Sequence, residues 1–477
     1  MHLWKYVVIV LTIIIFILAV YLIVTYCKKK QRKHPIVILS MTNVPWRSEF
    51  LFKNIGRLID SNPSIDKVQL NIPVKFKRTK EAYPQIPNAY HSKIHIHRCE
   101  DLGPITKLLP TVETHQNMNG ERPVVIVTLD DDIVYHNGHV DKLIKMWDKH
   151  CLSNEVYCPS QSKGLEYLNL PHIPYLEGYR GVVYPMSIFS PSIIQNLKNI
   201  SLHFPCDRSD DIVLASTLLR NGISIQNNWF DLHMDNSFSE SDKAGLKQGF
   251  HAQKYPMCLQ KINEMNPFHV HFIFGMWSDG PMPKKMADTV KAWESIGATT
   301  KVWSPEECLK LIQEEFPSEM KTYMTLKPIQ KADIARYVVI HKVGDMYCDL
   351  DCVPVSKSSH WFVESKFNQL GKDQGCLGFT EHINAQDRLT IEGKVEHAVR
   401  IANFAFYAKP KCEWLKQSIE EAFRRVKKHE GNQSNSAVLF TTGPDVVTTI
   451  GHKLKIPHVP MKGIISHKAF GTWRTEK

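Results

Sequence analysis

The chain has 477 residues, of which 43% are hydrophobic, 10% aromatic and 22% charged. This is a globular composition that excludes a disordered polymer and a fibrous repeat, and at ~150 residues per domain it predicts two units, each able to bury its own core. Lysine and arginine number 59 against 48 acidic residues, a net charge of +11. Much of the excess, however, sits in Lys5, Lys28, Lys29, Lys30, Arg32 and Lys33 around one apolar segment. The mild remainder fits an anionic small substrate and predicts no nucleic-acid partner.

That apolar segment is the first predicted element. Val7 to Tyr26 runs for 20 residues with only two threonines and two tyrosines as polar members. At ~1.5 Å per residue it matches a ~30 Å hydrocarbon layer, so residues 1–33 are expected to be a membrane anchor with its helix at 7–26. Lys28 to Lys33 follow it, and the positive-inside rule would then place the larger carboxyl-terminal part in the cytosol. The eleven cysteines show no CxxC pair and no zinc-type spacing, so buried free thiols are expected.

From Pro35 the pattern alternates between strands and helices. Residues 36–39, 68–74, 94–97 and 124–129 read as strands, the last a continuous apolar run, which predicts an α/β domain with buried parallel strands over residues 34–265. In DLGPITKLLP a Gly-Pro turn precedes a helix carrying Thr106 and Lys107, where a helix start and an ammonium group would suit phosphate. Asp101 opens that segment. In VVIVTLDDDIVY, Asp130, Asp131 and Asp132 follow the buried strand, at the sheet edge where α/β domains bind ligands. Asp130 and Asp132 share a face if the strand continues, as a metal site would need; a phosphohydrolase-type acid cluster and a merely polar strand end are the alternatives. Farther on, Ser209 reads as a helix N-cap, with Asp210 and Asp211 in the first turn.

A second α/β series, residues 266–477, begins after the weakly patterned stretch 252–267, with Val270, Phe272 and Phe274 on one face of a strand. Its most informative passage is QKADIARYVVIHKVGDMYCDLDCVP, residues 330–354. Ile334, Tyr337, Val338 and His341 recur at helical spacing, and Gly344 is expected to end the helix in a left-handed cap. Asp333 and Arg336 lie one turn apart on that helix, as an ion pair or as a clamp for sugar hydroxyls. Asp349 and Asp351 then fall two apart. In an extended segment both would leave one face and converge on an ion, and carboxylate oxygens suit Mg²⁺ or Mn²⁺.

These residues together resemble glycosyltransferase family 32, the DXD sugar transferases. Its acid and arginine on a helix, glycine turn and Tyr-x-Asp-x-Asp are matched by Asp333, Arg336, Tyr337, Gly344, Tyr347, Asp349 and Asp351; Asp345 departs from the usual second glycine. HVHFIFGMWSDGPMPKKM at the start of this half, TTGPDVVT and the final HKAFGTW are also similar to that family. The resemblance implies a GT-A-type, Rossmann-like nucleotide-sugar fold and a retaining transfer. It implies Asp349 against the donor, Asp351 and His467 on the metal, Asp333 and Arg336 on sugar hydroxyls with Tyr347 beside them, and Trp473 on the diphosphate. More loosely, residues 35–250 resemble family 2-like GT-A domains. That likeness would make Asp130 and Asp132 metal ligands, place Asp101 and Lys107 near the nucleotide, and make Asp210 or Asp211 the base of an inverting transfer.

The expectation is therefore an α/β protein with a transmembrane helix followed by two GT-A-type domains. It would be a metal-dependent glycosyltransferase, bifunctional if both domains act, using Mn²⁺ or Mg²⁺ and a UDP- or GDP-linked sugar on a glycan, glycoprotein or glycolipid acceptor. Family habit would put it in a Golgi- or ER-type membrane, against the charge rule. Inactive carbohydrate-binding domains, or a phosphohydrolase in the first half, are the rival readings.

Overall fold

The computed structural model describes residues 34–84, 91–118, 122–160, 176–227, 234–236, 250–277, 280–381, 391, 397, 399–432 and 434–469. The expected membrane helix at 7–26 lies outside them, and among the described residues no helix is long and apolar enough to cross a membrane. The single-pass assignment, with its cytosolic and Golgi- or ER-type variants, is corrected accordingly: no described helix supports it. Trp473 also lies outside the described residues.

The chain forms two compact units that interleave along the sequence. The first draws on residues up to 161, on 176–198 and on 225–245, and the second on 162–175, 199–224 and 246–477.

In the first unit, β1 (Ile36–Thr42), β2 (Lys67–Pro73), β3 (Ile94–Cys99) and β4 (Val124–Thr128) are mutually parallel in the order β3-β2-β1-β4. The short strands β5 (Ile133–Tyr135) and β9 (Met234–Asn236) pair separately. The main sheet continues through β7 (Val182–Pro185), β6 (Val156–Tyr157) and β8 (Ile225–Gln226). Every residue of β4 is buried, which explains its unbroken apolar run. The helix Ser48–Asp60 covers the sheet with Leu51, Phe52, Ile55, Leu58 and Ile59, the stripe that 3.6-residue periodicity requires.

In the second unit, β10 (His269–Ile273) lies between β11 (Thr299–Trp303) and β12 (Asp345–Cys348), parallel to both. Antiparallel β15 (Arg400–Ala408) and β14 (Cys376–Glu381), then β16 (His458–Pro460), complete six strands, while β13 (Cys352–Pro354) and β17 (Ile465–His467) form a separate antiparallel pair. The weakly patterned stretch near 252–267 is largely a helix, Phe250–Met265, with Pro256 inside it. A disulfide joins Cys206 to Cys258 across 52 residues, correcting the expectation of free thiols at those two positions. A pair so far apart leaves no local spacing to read.

Candidate active site

The helix Pro328–Val343 starts with proline in its first turn, where the missing N–H costs nothing. It is buried on all sides from Ala332 to His341 rather than along one stripe, because it is enclosed between the sheet and other helices. Gly344 ends it with φ 83° and ψ −165°, positive but not the left-handed cap expected. Asp345 follows at φ 67°, and its carboxylate lies 2.8 Å from His269 Nδ1. These two residues turn the chain into β12, which carries Tyr347 toward the acids.

Burying this helix buries Asp333 and Arg336, so their charges must be met internally. Arg336 Nη2 lies 3.1 Å from Asp333 Oδ1, and Nη1 lies 3.4 Å from Asp349. Nη1 also donates to the Asn403 carbonyl at 3.2 Å and Nε to the Ala332 carbonyl at 3.3 Å. Asp333 accepts further bonds from Asn403 Nδ2 at 3.0 Å and Thr442 Oγ1 at 2.9 Å. Burial pushes its carboxyl up to about 6 although Arg336 opposes the shift. For Arg336, burial favours the neutral form, but Asp349, Tyr347 and Asp333 outweigh it and hold the guanidinium charged.

Asp349 is the more open acid. Tyr347 donates its hydroxyl to Asp349 Oδ1 at 2.7 Å, and the Arg336 guanidinium stands 5.2 Å from the Tyr347 ring centroid. Burial raises the Asp349 carboxyl, against the pull of Arg336. β12 has already ended at Cys348, and the Cys352 amide donates to the Asp349 carbonyl at 2.9 Å, so the two acids of the DXD sequence occupy a turn rather than an extended strand. The expected same-face geometry is thus corrected. Asp349 faces Arg336 and Tyr347, whereas Asp351 faces His467, with Oδ2 and Nε2 3.4 Å apart.

His467 reaches this point because β17 pairs with β13, and its ring stacks on Phe404 at 3.9 Å between centroids. Burial lowers its pKa, but the hydrogen bond and charge of Asp351 outweigh burial and raise it. Among the described residues, Asp351, Cys352 and His467 form a group of potential metal ligands whose donor atoms lie within 4.8 Å of one another; Asp349 is not part of it. Asn403, Thr442 and Cys352 were missed at the sequence level. A buried asparagine in the otherwise apolar run of β15 was the available signal for the first.

In the first unit the aspartate triplet also sits beyond its strand, since β4 ends at Thr128, so Asp130 and Asp132 do not share a strand face. Asp130 pairs with Lys107 at 2.7 Å, while Arg47 bridges Asp131 at 2.8 Å and Asp132 at 3.0 Å. Burial raises the Asp131 carboxyl to about 6, against Arg47. The Gly103–Lys107 segment is a 3-10 turn and the α-helix starts only at Leu109, so the expected helix start at Thr106 and Lys107 is not formed. Asp101 accepts amides from Lys77 at 2.7 Å and Gly103 at 2.8 Å, fixing this turn. Asp210 and Asp211 open the helix Asp210–Arg220, which belongs to the second unit and not to the unit of Asp130. Ser209 makes no capping bond there, its hydroxyl donating instead to the Pro205 carbonyl at 3.1 Å.

Residues 223–368 match the family model described as the glycosyltransferase sugar-binding region containing a DXD motif. No curated protein is matched. Solved structures similar to parts of the chain include the PaToxG glycosyltransferase, at 15% identity and TM-score 0.27, covering 39% of this chain and 69% of that one. The galactosyltransferase LgtC with donor and acceptor sugar analogues is 8% identical at TM-score 0.30, covering 53% and 99%. S. aureus TarS 1–349 with UDP-GlcNAc is 10% identical at TM-score 0.31, covering 76% and 98%. Likenesses this distant carry no argument about fold or activity. The family match does, because it spans Asp333, Arg336, Tyr347, Asp349 and Asp351: the chain carries a DXD-type glycosyltransferase sugar-binding region at residues 223–368, and the protein is a glycosyltransferase.

Proposed function

We propose that the second unit transfers a sugar from a UDP- or GDP-linked donor to a glycan acceptor with retention, as the family 32 resemblance implies. The observation that carries this reading is Asp349, held by Arg336 and Tyr347 next to the Asp351–His467 pair. In this reading Asp349 accepts hydrogen bonds from donor hydroxyls, and Arg336 favours its charged form against burial and aims it. Asp333 keeps Arg336 in place through Asn403 and Thr442. A carboxylate oxygen and an imidazole nitrogen fit a divalent cation, which Asp351 and His467 would hold. When bound, such an ion offsets the charge developing on a diphosphate leaving group. In a retaining front-face displacement the leaving phosphate accepts the acceptor's proton, so no side chain is needed as base.

The first unit is read as a second nucleotide-sugar unit because its Asp130–Asp132 cluster stands just beyond the buried strand β4, with Lys107 paired to Asp130. Lys107 there would meet donor phosphate.

The test is to incubate the full chain with a panel of UDP- and GDP-sugars, with and without Mn²⁺, and to follow donor hydrolysis and transfer by mass spectrometry. Metal-dependent consumption of one donor, lost in Asp349→Asn and Asp351→Asn, supports the reading. Glycan affinity unchanged in Asp351→Asn, with no donor consumed by the native chain, would make the protein a binding module instead. Phosphate release from simple esters, sensitive to Asp130→Asn, would make the first unit a phosphohydrolase.

A further inference from the structure

Asp351 and His467 have a third neighbour. In the β13–β17 ladder Cys352 is directly opposite His467, and opposed residues of an antiparallel pair project from the same face with Cβ atoms ~4.5–5.5 Å apart. Cys352 Sγ lies 3.8 Å from Asp351 Oδ1, and Asp351 Oδ2 lies 3.4 Å from His467 Nε2. Ligands at ~2.0–2.3 Å from one tetrahedral ion stand roughly 3.3–3.8 Å apart, and the thiol and the imidazole each lie at about such a spacing from one oxygen of Asp351, the thiol from Oδ1 and the imidazole from Oδ2. One oxygen, one nitrogen and one sulfur thus converge within 4.8 Å. The arrangement is braced from both sides, as the Lys468 amide donates to the Asp351 carbonyl at 2.8 Å and Phe404 stacks on the imidazole. Cys352 is fully buried, while Asp351 and His467 are partly open, so the sulfur lies on the inner side and leaves the outer side for phosphate or water.

We propose that Cys352 is a third protein ligand of the cation, making this a mixed oxygen, nitrogen and sulfur site that prefers borderline and soft divalent ions such as Co²⁺, Zn²⁺ and Cd²⁺ over Mg²⁺ and Mn²⁺. The proposal rests on the reading of Asp351 and His467 as cation ligands. Thiolate sulfur is a soft donor, whereas an all-oxygen set selects hard ions. On binding, the S–H bond breaks, the sulfur pair forms the metal–sulfur bond, and the proton passes to buffer.

The test is Co²⁺ titration of the reduced full chain, followed by absorption. The expected result is d–d bands accompanied by a near-ultraviolet sulfur-to-cobalt charge-transfer band. In Cys352→Ser the charge-transfer band is lost while d–d bands remain, and the preference for Cd²⁺ over Mn²⁺ falls by about tenfold or more, the scale of losing a supporting partner in a metal site. Native d–d bands without charge transfer, or a charge-transfer band that persists in Cys352→Ser, would overturn sulfur ligation and leave Asp351 and His467 standing as ligands. Absence of any Co²⁺ binding would overturn the cation site of the proposed function as well. If Cys352→Ser does not fold, ¹¹³Cd NMR of the native chain at one equivalent decides. A downfield resonance characteristic of sulfur ligation that shifts in His467→Ala supports the proposal, and one characteristic of oxygen and nitrogen alone overturns it.

Discussion

Arg336 and Asp333 stand one helical turn apart, Nη2 3.1 Å from Oδ1, with both side chains only 4% exposed. Removing one member of such a pair leaves the other charge buried without its nearest counter-charge. Arg336→Met is therefore expected to destabilise the second unit by ~3–5 kcal/mol. Asp333→Asn should cost less, since the amide oxygen still accepts from Arg336 and Asn403 while its NH2 can donate to the Thr442 hydroxyl. The double variant should recover part of the loss, and urea midpoints of the four proteins measure the coupling.

Tyr347 acts on Asp349 through one hydroxyl at 2.7 Å. A hydrogen bond to a charged acceptor is worth ~1.5–3 kcal/mol, so if Asp349 contacts the donor, Tyr347→Phe should slow transfer roughly ten- to hundredfold. The ring, which stacks on Phe406, is kept, so the melting temperature should fall by no more than the loss of that one hydrogen bond. Steady-state kinetics separate the outcomes. A full rate in Tyr347→Phe would show that the Tyr347 hydroxyl plays no part in the reaction.

Away from the site, Glu364 pairs with Arg220 at 2.8 Å, yet burial raises its carboxyl to about 7 against that partner. The folded chain therefore holds a proton that the unfolded chain, with a carboxyl near 4.5, has released. Stability from this group is complete below pH ~4.5 and is lost as pH rises to about 7, of order 3 kcal/mol in all. Glu364→Gln should flatten the pH dependence of thermal unfolding across that window. A slope unchanged by the substitution would show that Glu364 is ionised throughout.

Gly344→Ala tests the turn into β12. At φ 83° an L side chain is strained, and a Cβ there would stand 2.5 Å from Pro410 Cδ. The strain alone costs ~1–3 kcal/mol, and the contact with a proline ring adds to it. Circular dichroism melts should show a lower midpoint, whereas Gly431→Ala, also at positive φ but with nothing within 4 Å of its added Cβ, should lose only the strain.

What could be read from the sequence was what is local along the chain. Asp333 and Arg336 are three apart on a helix and must be neighbours there. The apolar run before Asp130 must be a buried strand, and Tyr347, Asp349 and Asp351 in order after a glycine turn were sufficient to recognise a DXD glycosyltransferase region, which the family match bears out. The membrane span was also read locally, from hydropathy, and no helix among the described residues supports it.

Tertiary structure decided which partners those local residues meet. Asn403 and Thr442 close on Asp333 from 70 and 109 residues away, and His467 reaches Asp351 because β17 pairs with β13. It also set the direction of the acids, since the chain turns after Cys348 and sends Asp349 and Asp351 to different partners. Short-range periodicity fixes which side chains share a face, but closure of a buried charge depends on long-range pairing. That pairing is selected by the packing of the whole unit and leaves no spacing in the sequence to read.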